Sequence, residues 1–507
     1  MSSLVSSLGY NFSGQLVARI ISFGINMYLL RVIDNDVLGL VNVRLTLLYN
    51  TILFLTREPM RKAHIFRESL PQFMNLVWLS PLISLFLSVL LVLFWQTFST
   101  SGTEVSAFVL WASPVSAIIE AFAEPFAVVS LRFSLGRHFA IGQSLLIFLQ
   151  RFFSFFSCLF LVPFCVPFGS FRVCSDLRFL YISAKKPAEL SQFAHFSSLL
   201  PQKSAGIDRE SLKALFTMFS HSILKQLLTD GSAYVMTFTE LLTLKNQAVY
   251  DAVERVGSLA ARIILAPMEE NCYAYFANNI RKQSTVFKKN SDSYDALVQT
   301  LSTILHVVGV VGCVVCVFGI PYSANVVYIY GGNLLYENQG ALLLSLYSVY
   351  VWVMAINGIT ECFAMASMDN VEVVSHGSFL LASAIGHLVL NVSLCFYFNS
   401  AGFIIANIVN MLVRIVYSWR HIRRFLGERT PPLTTLFPTL TVLGSLVFCF
   451  FATSFSYLLF GSTPGFSHAA VHIAIGGVLF GLLSLNIAQH DPVFSTLVNS
   501  ALKPHYN

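Results

Sequence analysis

Apolar residues run along this chain in blocks of roughly 18 to 25, without the strict alternation of a half-buried strand, and polar residues collect in the gaps. About 20 apolar residues suffice to cross about 30 Å of hydrocarbon, and backbone facing lipid must satisfy its own hydrogen bonds, so each block predicts a membrane-spanning α-helix. The pattern places spans near 8–30, 37–56, 73–95, 106–130, 139–160, 162–181, 215–242, 246–267, 297–320, 339–360, 374–397, 401–419, 435–459 and 467–488, fourteen in all. The sixth, CVPFGSFRVCSDLRFLYIS, is the least apolar because it holds Arg172, Asp176 and Arg178. The expected fold is therefore an all-α polytopic membrane protein.

Charge orients these spans. Lys and Arg in short loops favour the cytosol. On this reading the gaps after even-numbered spans hold twenty of the 31 Lys and Arg, among them Arg61, Lys62, Lys185, Lys186, Arg281 and Arg424, while the opposite loops hold only Arg31 and Lys245. Both termini are then expected on the cytosolic side, and the first hydrophobic stretch, which lacks a basic n-region and a small-residue cleavage site, is expected to remain as a span. Residues 182–214 are polar and punctuated by Pro187, Pro201 and Gly206, which reads as a cytosolic linker between lobes at 1–181 and 215–420, with two additional spans in 421–507.

A shift of 211 residues superposes Gln15 on Gln226, Asn35 on Asn246, Arg44 on Arg255, Glu58 on Glu269 and Ala63 on Ala274 without a gap. Chance matches of apolar residues are easy; charged matches at one fixed offset are not. Because this offset contains six spans, an even number, the repeats should have parallel orientation, giving two similar lobes around a central cavity.

Composition removes several functional classes. With 55% hydrophobic and 11% charged residues and a mean hydropathy of +0.69, the chain is far from the roughly 25% charge of a soluble domain. A net charge of +6 with no basic-aromatic stripe argues against a nucleic-acid partner. The nine cysteines mostly lie in apolar runs and form neither a disulfide framework nor a zinc site; Cys313 and Cys316 spell C-x-x-C inside VVGCVVCVFG, where packing is the expected role. Asp34-Asn35-Asp36 spells D-x-D, but in so short a loop a turn and helix cap account for it. There is no Walker A loop, H-E-x-x-H or G-x-S-x-G element, so no cofactor, metal or catalytic residue is assigned. The sequons at Asn11 and Asn391 fall in or beside spans and should not be glycosylated.

Ionisable groups inside spans are costly and mark function by default. Arg19, Arg44, Glu120, Glu124, Lys225, Asp251, Arg255 and Arg262 fall in predicted spans, with Gln15 and Gln226 as neutral companions. The planar fork of Arg matches phosphate oxygens two at a time, so Arg19, Arg44 and Arg255 in a cavity would suit a diphosphate. The alternative is internal pairing: Glu120 and Glu124 could neutralise Arg19 or Arg44, and Asp251 could pair with Arg255 one turn away. Arg262 and Arg414 fit local pairing or snorkelling, Glu361 fits capping or interhelical pairing, and His306 and His387 fit satisfied packing.

The blocks VNVRLTLLYNTILFLTREPMRKA (41–63), FSHSILKQLLTDGSAYVMTF (219–238), QAVYDAVERVGSLAARIILAPMEENCYAYFA (247–277), YVWVMAINGITECFAMAS (350–367) and GFIIANIVNMLVRI (402–415) strongly resemble the eukaryotic Rft oligosaccharide-translocation family over nearly the whole chain. The resemblance implies the multidrug/oligosaccharidyl-lipid/polysaccharide exporter fold and residence in the endoplasmic reticulum membrane. It further implies movement of a dolichol-diphosphate oligosaccharide from the cytosolic to the lumenal leaflet for N-glycosylation. By analogy with bacterial peptidoglycan-lipid flippases, diphosphate contact would fall on Arg19, Arg44 and Arg255, while Arg57, Glu58, Arg61 and Glu269 belong to the family motif at the cytosolic rim. The implied partners are the dolichol-linked oligosaccharide and the bilayer, with no protein partner identified. The short, charged region 160–200 departs from the family pattern. Two other readings stay open: a non-transporting accessory protein that binds the same lipid, and an ion-coupled small-molecule exporter using Glu120, Glu124 or Asp251, which the excess of span cations disfavours.

Overall fold

A computed structural model describes residues 23–24, 27–28, 30–62, 69–98, 107–132, 200–202, 205–239, 241–285, 291–461 and 466–496. Expectations for Gln15, Arg19, the fifth and sixth spans and most of the first lie outside the described residues, as does the side chain of Arg262. Every described element is helical. The chain divides into two compact units, Met1–Ala248 and Val249–Asn507.

In the first unit, Asp34 caps α1 (Asn35–Gly39) by accepting the Asp36 amide at 3.1 Å, so the D-x-D is a helix cap. A π-helical stretch, Leu40–Leu45, then leads into α2 (Thr46–Lys62). There follow α3 (Leu70–Val77), α4 (Ser80–Phe98), α5 (Ala107–Ala121), α6 (Glu124–Arg132), α7 (Arg209–Thr229) and α8 (Gly231–Phe238). Leu48, Ile52, Val92, Trp95 and Ala117 make one buried core between α2, α4 and α5. Met60, Phe73, Met74 and Phe126 make a second where α2, α3 and α6 meet. The end of the expected linker is anchored here, because Asn75 donates to the carbonyls of Gln202 and Gly206, both at 2.8 Å, and accepts from the Gln202 amide at 2.7 Å.

Helix α9 (Leu244–Ala260) spans the division between units and continues through a π-helical stretch, Ala261–Leu265, into α10 (Ala266–Thr285). The second unit then runs through α11 (Ser291–Glu337), α12 (Gly340–Ser367), α13 (Asn370–Phe398), α14 (Ser400–Leu426), α15 (Leu440–Ser456) and α16 (Phe466–His490). Its main core gathers Phe276, Leu301, Leu305, Ile359, Phe363 and Ile422, and a second core of Val310, Leu446 and Leu483 seats α15 and α16 on α11.

Among the described residues nine helices are long and apolar enough to cross a membrane, and they coincide with predicted spans two to four and nine to fourteen. Their outward faces are apolar: Phe448, Phe451 and Phe455, spaced along one face of α15, are 66%, 66% and 62% exposed. In water such a stripe would aggregate; against lipid it is the expected exterior. The seventh span departs from a single helix, since Asp230, at φ −105° and ψ 22°, breaks it between α7 and α8. The ninth is longer than expected: α11 continues past Pro321 to Glu337, with Gly332 at φ 62° marking a kink.

Candidate functional site

The charges predicted inside spans mostly find one another. On α2, Arg57 and Arg61 point at the start of the next charged helix. Glu124, fully buried at the first turn of α6, pairs with Arg57 across 2.6 Å to its Nε and accepts from Arg61 Nη2 at 3.1 Å. Glu120, one turn earlier, takes hydrogen bonds from Arg57 and from the Tyr49 hydroxyl. The carboxylates expected to face Arg19 or Arg44 thus meet Arg57 and Arg61, the residues assigned to the rim. Two arginines and two carboxylates in contact cancel most of the burial penalty each would carry alone. Beside them Glu58 bridges Lys62 at 3.1 Å and Lys225 at 2.8 Å, so Lys225 belongs to this cluster as well.

Arg44 lies in the π-helical stretch before α2 and is 6% exposed. Its Nε approaches Gln247 Oε1 at 3.4 Å, and the amide of Gln247 donates to the carbonyls of Met236 and Leu242 at 2.9 and 3.0 Å. A π-helical turn places a residue off the regular helical register, and such turns recur at functional positions. On the same side of the unit, Gln226 donates to Asp230 at 2.6 Å, and the Tyr234 hydroxyl shares a hydrogen bond of 2.7 Å with Thr51.

In the second unit Arg255 Nε donates to Asp251 Oδ2 at 2.7 Å, one helical turn away, and the Arg255 side chain is 25% exposed. The i,i+4 pair foreseen from the sequence is therefore formed. It fixes one edge of the guanidinium, whose fork carries five donors in all. Arg414 Nη2 sits 2.7 Å from each oxygen of Glu361, and His376 Nε2 lies 3.5 Å from the same carboxylate. His387 bonds Asn407 at 2.7 Å across helices, which satisfies it as packing requires. His306 does more: it meets Asp491 at 2.8 Å and the Thr435 carbonyl at 2.8 Å.

The importance of His376 and Asn357 did not emerge from hydropathy, yet a sequence signal for their surroundings exists. Residues 119–130, IEAFAEPFAVVS, and 356–367, INGITECFAMAS, share Ile, Glu, Phe, Ala and Ser at one offset of 237. This match equates Glu124 with Glu361, and Phe126 with Phe363, both buried. Each half thus carries a carboxylate at the matched sequence position, at the start of α6 and inside α12. Its cations come from α2 in the first half and from α14 in the second, where His376 of α13 also faces it.

No group of three or more His, Cys, Asp or Glu suited to a metal occurs among the described residues.

Comparison with known proteins agrees along the chain. A family model described as Rft protein matches residues 3–500. A Caenorhabditis elegans protein named Man(5)GlcNAc(2)-PP-dolichol translocation protein RFT1 is 58% identical over 99% of both chains. The Xenopus tropicalis protein of the same name is 32% identical over 92% of this chain and 91% of its own. Among solved structures, one described as the lipid II flippase MurJ in an inward closed conformation aligns with a TM-score of 0.58 at 12% identity, covering 94% of this chain and 98% of that one. At that identity the likeness is one of fold.

Proposed function

Because the chain belongs to the Rft protein family, we propose that it translocates a dolichol-diphosphate-linked oligosaccharide from the cytosolic to the lumenal leaflet of the endoplasmic reticulum membrane, in support of protein N-glycosylation. The observation that carries this reading is the 58% identity, along 99% of both chains, to a protein named for translocating Man(5)GlcNAc(2)-PP-dolichol. The chain acts as a transporter, making and breaking no covalent bond.

The residues support a division of labour. Arg57, Arg61, Glu120 and Glu124 satisfy one another and hold α2 to α5 and α6. Arg255, partly exposed and held at one edge by Asp251, is the better placed of the repeat-matched arginines to receive a diphosphate. Arg44, seated against Gln247, is its counterpart in the first unit. Arg19 completes the proposed set, while Gln226 and Lys225 serve the scaffold.

Reconstitution tests the reading. Purified protein in vesicles, supplied with labelled Man(5)GlcNAc(2)-PP-dolichol on one side, should accelerate its appearance on the other. Loss of one charge-assisted donor to the diphosphate costs about 1.5–3 kcal/mol, or roughly tenfold or more in affinity, so Arg255→Ala should slow transfer by at least that factor at limiting lipid. Tight binding without acceleration would replace the translocator reading with that of an accessory lipid-binding protein.

A further inference from the structure

Around Glu361 the second unit assembles more polar groups than its ion pair needs. Glu361 is already balanced by Arg414, and Asn357 donates to it at 3.0 Å. Yet Asn357 Oδ1 has no donor in reach, and His376 Nδ1 has no hydrogen-bond partner while its Nε2 faces Glu361, although the two residues are 5% and 2% exposed. Buried acceptors without donors call for a further hydrogen. The nearby candidate to carry it is Glu269 on α10. Its carboxylate lies against α12 where Gly358 has no side chain, since a Cβ there would overlap Glu269 Oε1. Its backbone carbonyl accepts from Cys362 Sγ at 3.3 Å.

The internal repeat makes Glu269 unusual. Its counterpart Glu58 is bridged by Lys62 and Lys225. The positions 211 residues after those lysines are Tyr273 and Leu436, and Glu269 forms no ion pair among the described residues. The groups facing it are the Glu361 carboxylate and Cys362 thiol of α12, the Arg414 guanidinium of α14 and the Cys272 thiol of its own helix, with His376 of α13 beyond Glu361. Glu361 and Arg414 cancel, so an ionised Glu269 adds a negative charge that no arginine or lysine of the cluster offsets.

We propose that Glu269, with Asn357 and His376, forms a proton-binding site in which Glu269 carries the exchangeable proton as a neutral acid. One proton removes that charge and converts the carboxylate into a donor beside the Asn357–Gly358 step of α12. Burial, aided by the neighbouring Glu361 and opposed by Arg414, pushes the Glu269 carboxyl up, in the direction this requires. The site is independent of the diphosphate reading and needs no substrate to be observed.

Infrared difference spectra of the purified full chain in lipid nanodiscs, without substrate, test it directly. A protonated-carboxyl C=O band should titrate above the ordinary range of a glutamate and disappear in Glu269→Gln. The emission of Trp352 and Trp419, which pack on the adjoining core, should change over the same range and lose that response in the variant. Glu58→Gln, at the lysine-paired counterpart, should leave the band in place. If Glu269→Gln does not fold, Gly358→Ala, which displaces the carboxylate from its seat, should also remove the band. A wild-type protein with no titrating carboxyl in this range, or a band that survives Glu269→Gln, would overturn the proposal.

Discussion

Glu124 and Arg255 show how much burial decides the meaning of a charge. Glu124 is fully buried with two arginines on it, so Glu124→Ala removes the carboxylate they share, leaves Arg57 with Glu120 alone, and should cost about 3–5 kcal/mol. That is a large part of a typical stability, and the checks are protein abundance in membranes and the midpoint of thermal unfolding in detergent. Arg255 and Asp251 form an i,i+4 pair with side chains 25% and 17% exposed, a kind worth about 0.3–0.5 kcal/mol. Arg255→Ala should therefore leave abundance and the unfolding midpoint nearly unchanged while impairing glycolipid transfer; a collapse in abundance would show that its role is structural. Arg255→Lys sharpens the point, since Lys keeps the charge but loses the fork, and full transfer with Lys would refute two-pronged diphosphate contact. The Asp251 pairing was legible because both residues lie on one helix. The partners of Glu120 and Glu124 were not, because a stripe at i and i+4 reveals a charged face without revealing which helix lies opposite.

Helices were legible where apolar length alone decides them, which is why α4, α13, α15 and α16 fall where the hydropathy pattern puts them. The π-helical stretches at Leu40–Leu45 and Ala261–Leu265 were not, since an extra residue in a turn leaves the apolar period almost unchanged. Nor was the length of α11, whose second half depends on what packs against it. One face of that helix illustrates the point. His306 reaches Asp491 and the Thr435 carbonyl, and one turn on, Gly309 leaves room for the carbonyl of Leu436, which a Cβ would overlap. Together they clamp the 3-10 turn Leu433–Leu436 and the end of α16 to α11. Gly309→Val must push this backbone away, at a cost of about 1–3 kcal/mol for overpacking. Its thermal midpoint should fall, and cleavage by added protease in the segment 427–439 should quicken. His306→Ala should do the same by taking the side-chain partner from Oδ2 of the fully buried Asp491, whose Oδ1 keeps only the amides of Val493 and Phe494. An unchanged midpoint in both variants would mean that α15 and α16 are held by their apolar contacts alone.

At the scale of the whole molecule, two divisions of the chain coexist. The repeat at an offset of 211 begins its second copy near residue 215, while compactness divides the chain after Ala248. Sequence similarity records how the chain is built; contacts record where it packs, and Lys225 on Glu58 and Tyr234 on Thr51 draw α7 and α8 into the first unit. What predicts the orientation of the chain in a bilayer is neither of these but the loop cations, twenty against two. That asymmetry predicts that tags in the 182–214 linker, at both termini and in the turn after Arg429 are open to a membrane-impermeant reagent applied from the cytosol. A tag at Gly332, where α11 kinks before the turn at Asn338 and Gln339, should be reached only from the lumen. The test is demanding because each crossing inverts every loop beyond it. Losing one span between 139 and 181 would put the cations of 57–67 and 420–429 on opposite sides, at odds with the tendency that orients the chain. A linker reached only from the lumen would therefore remove the fourteen-span topology, and with it the parallel relation of the two repeats.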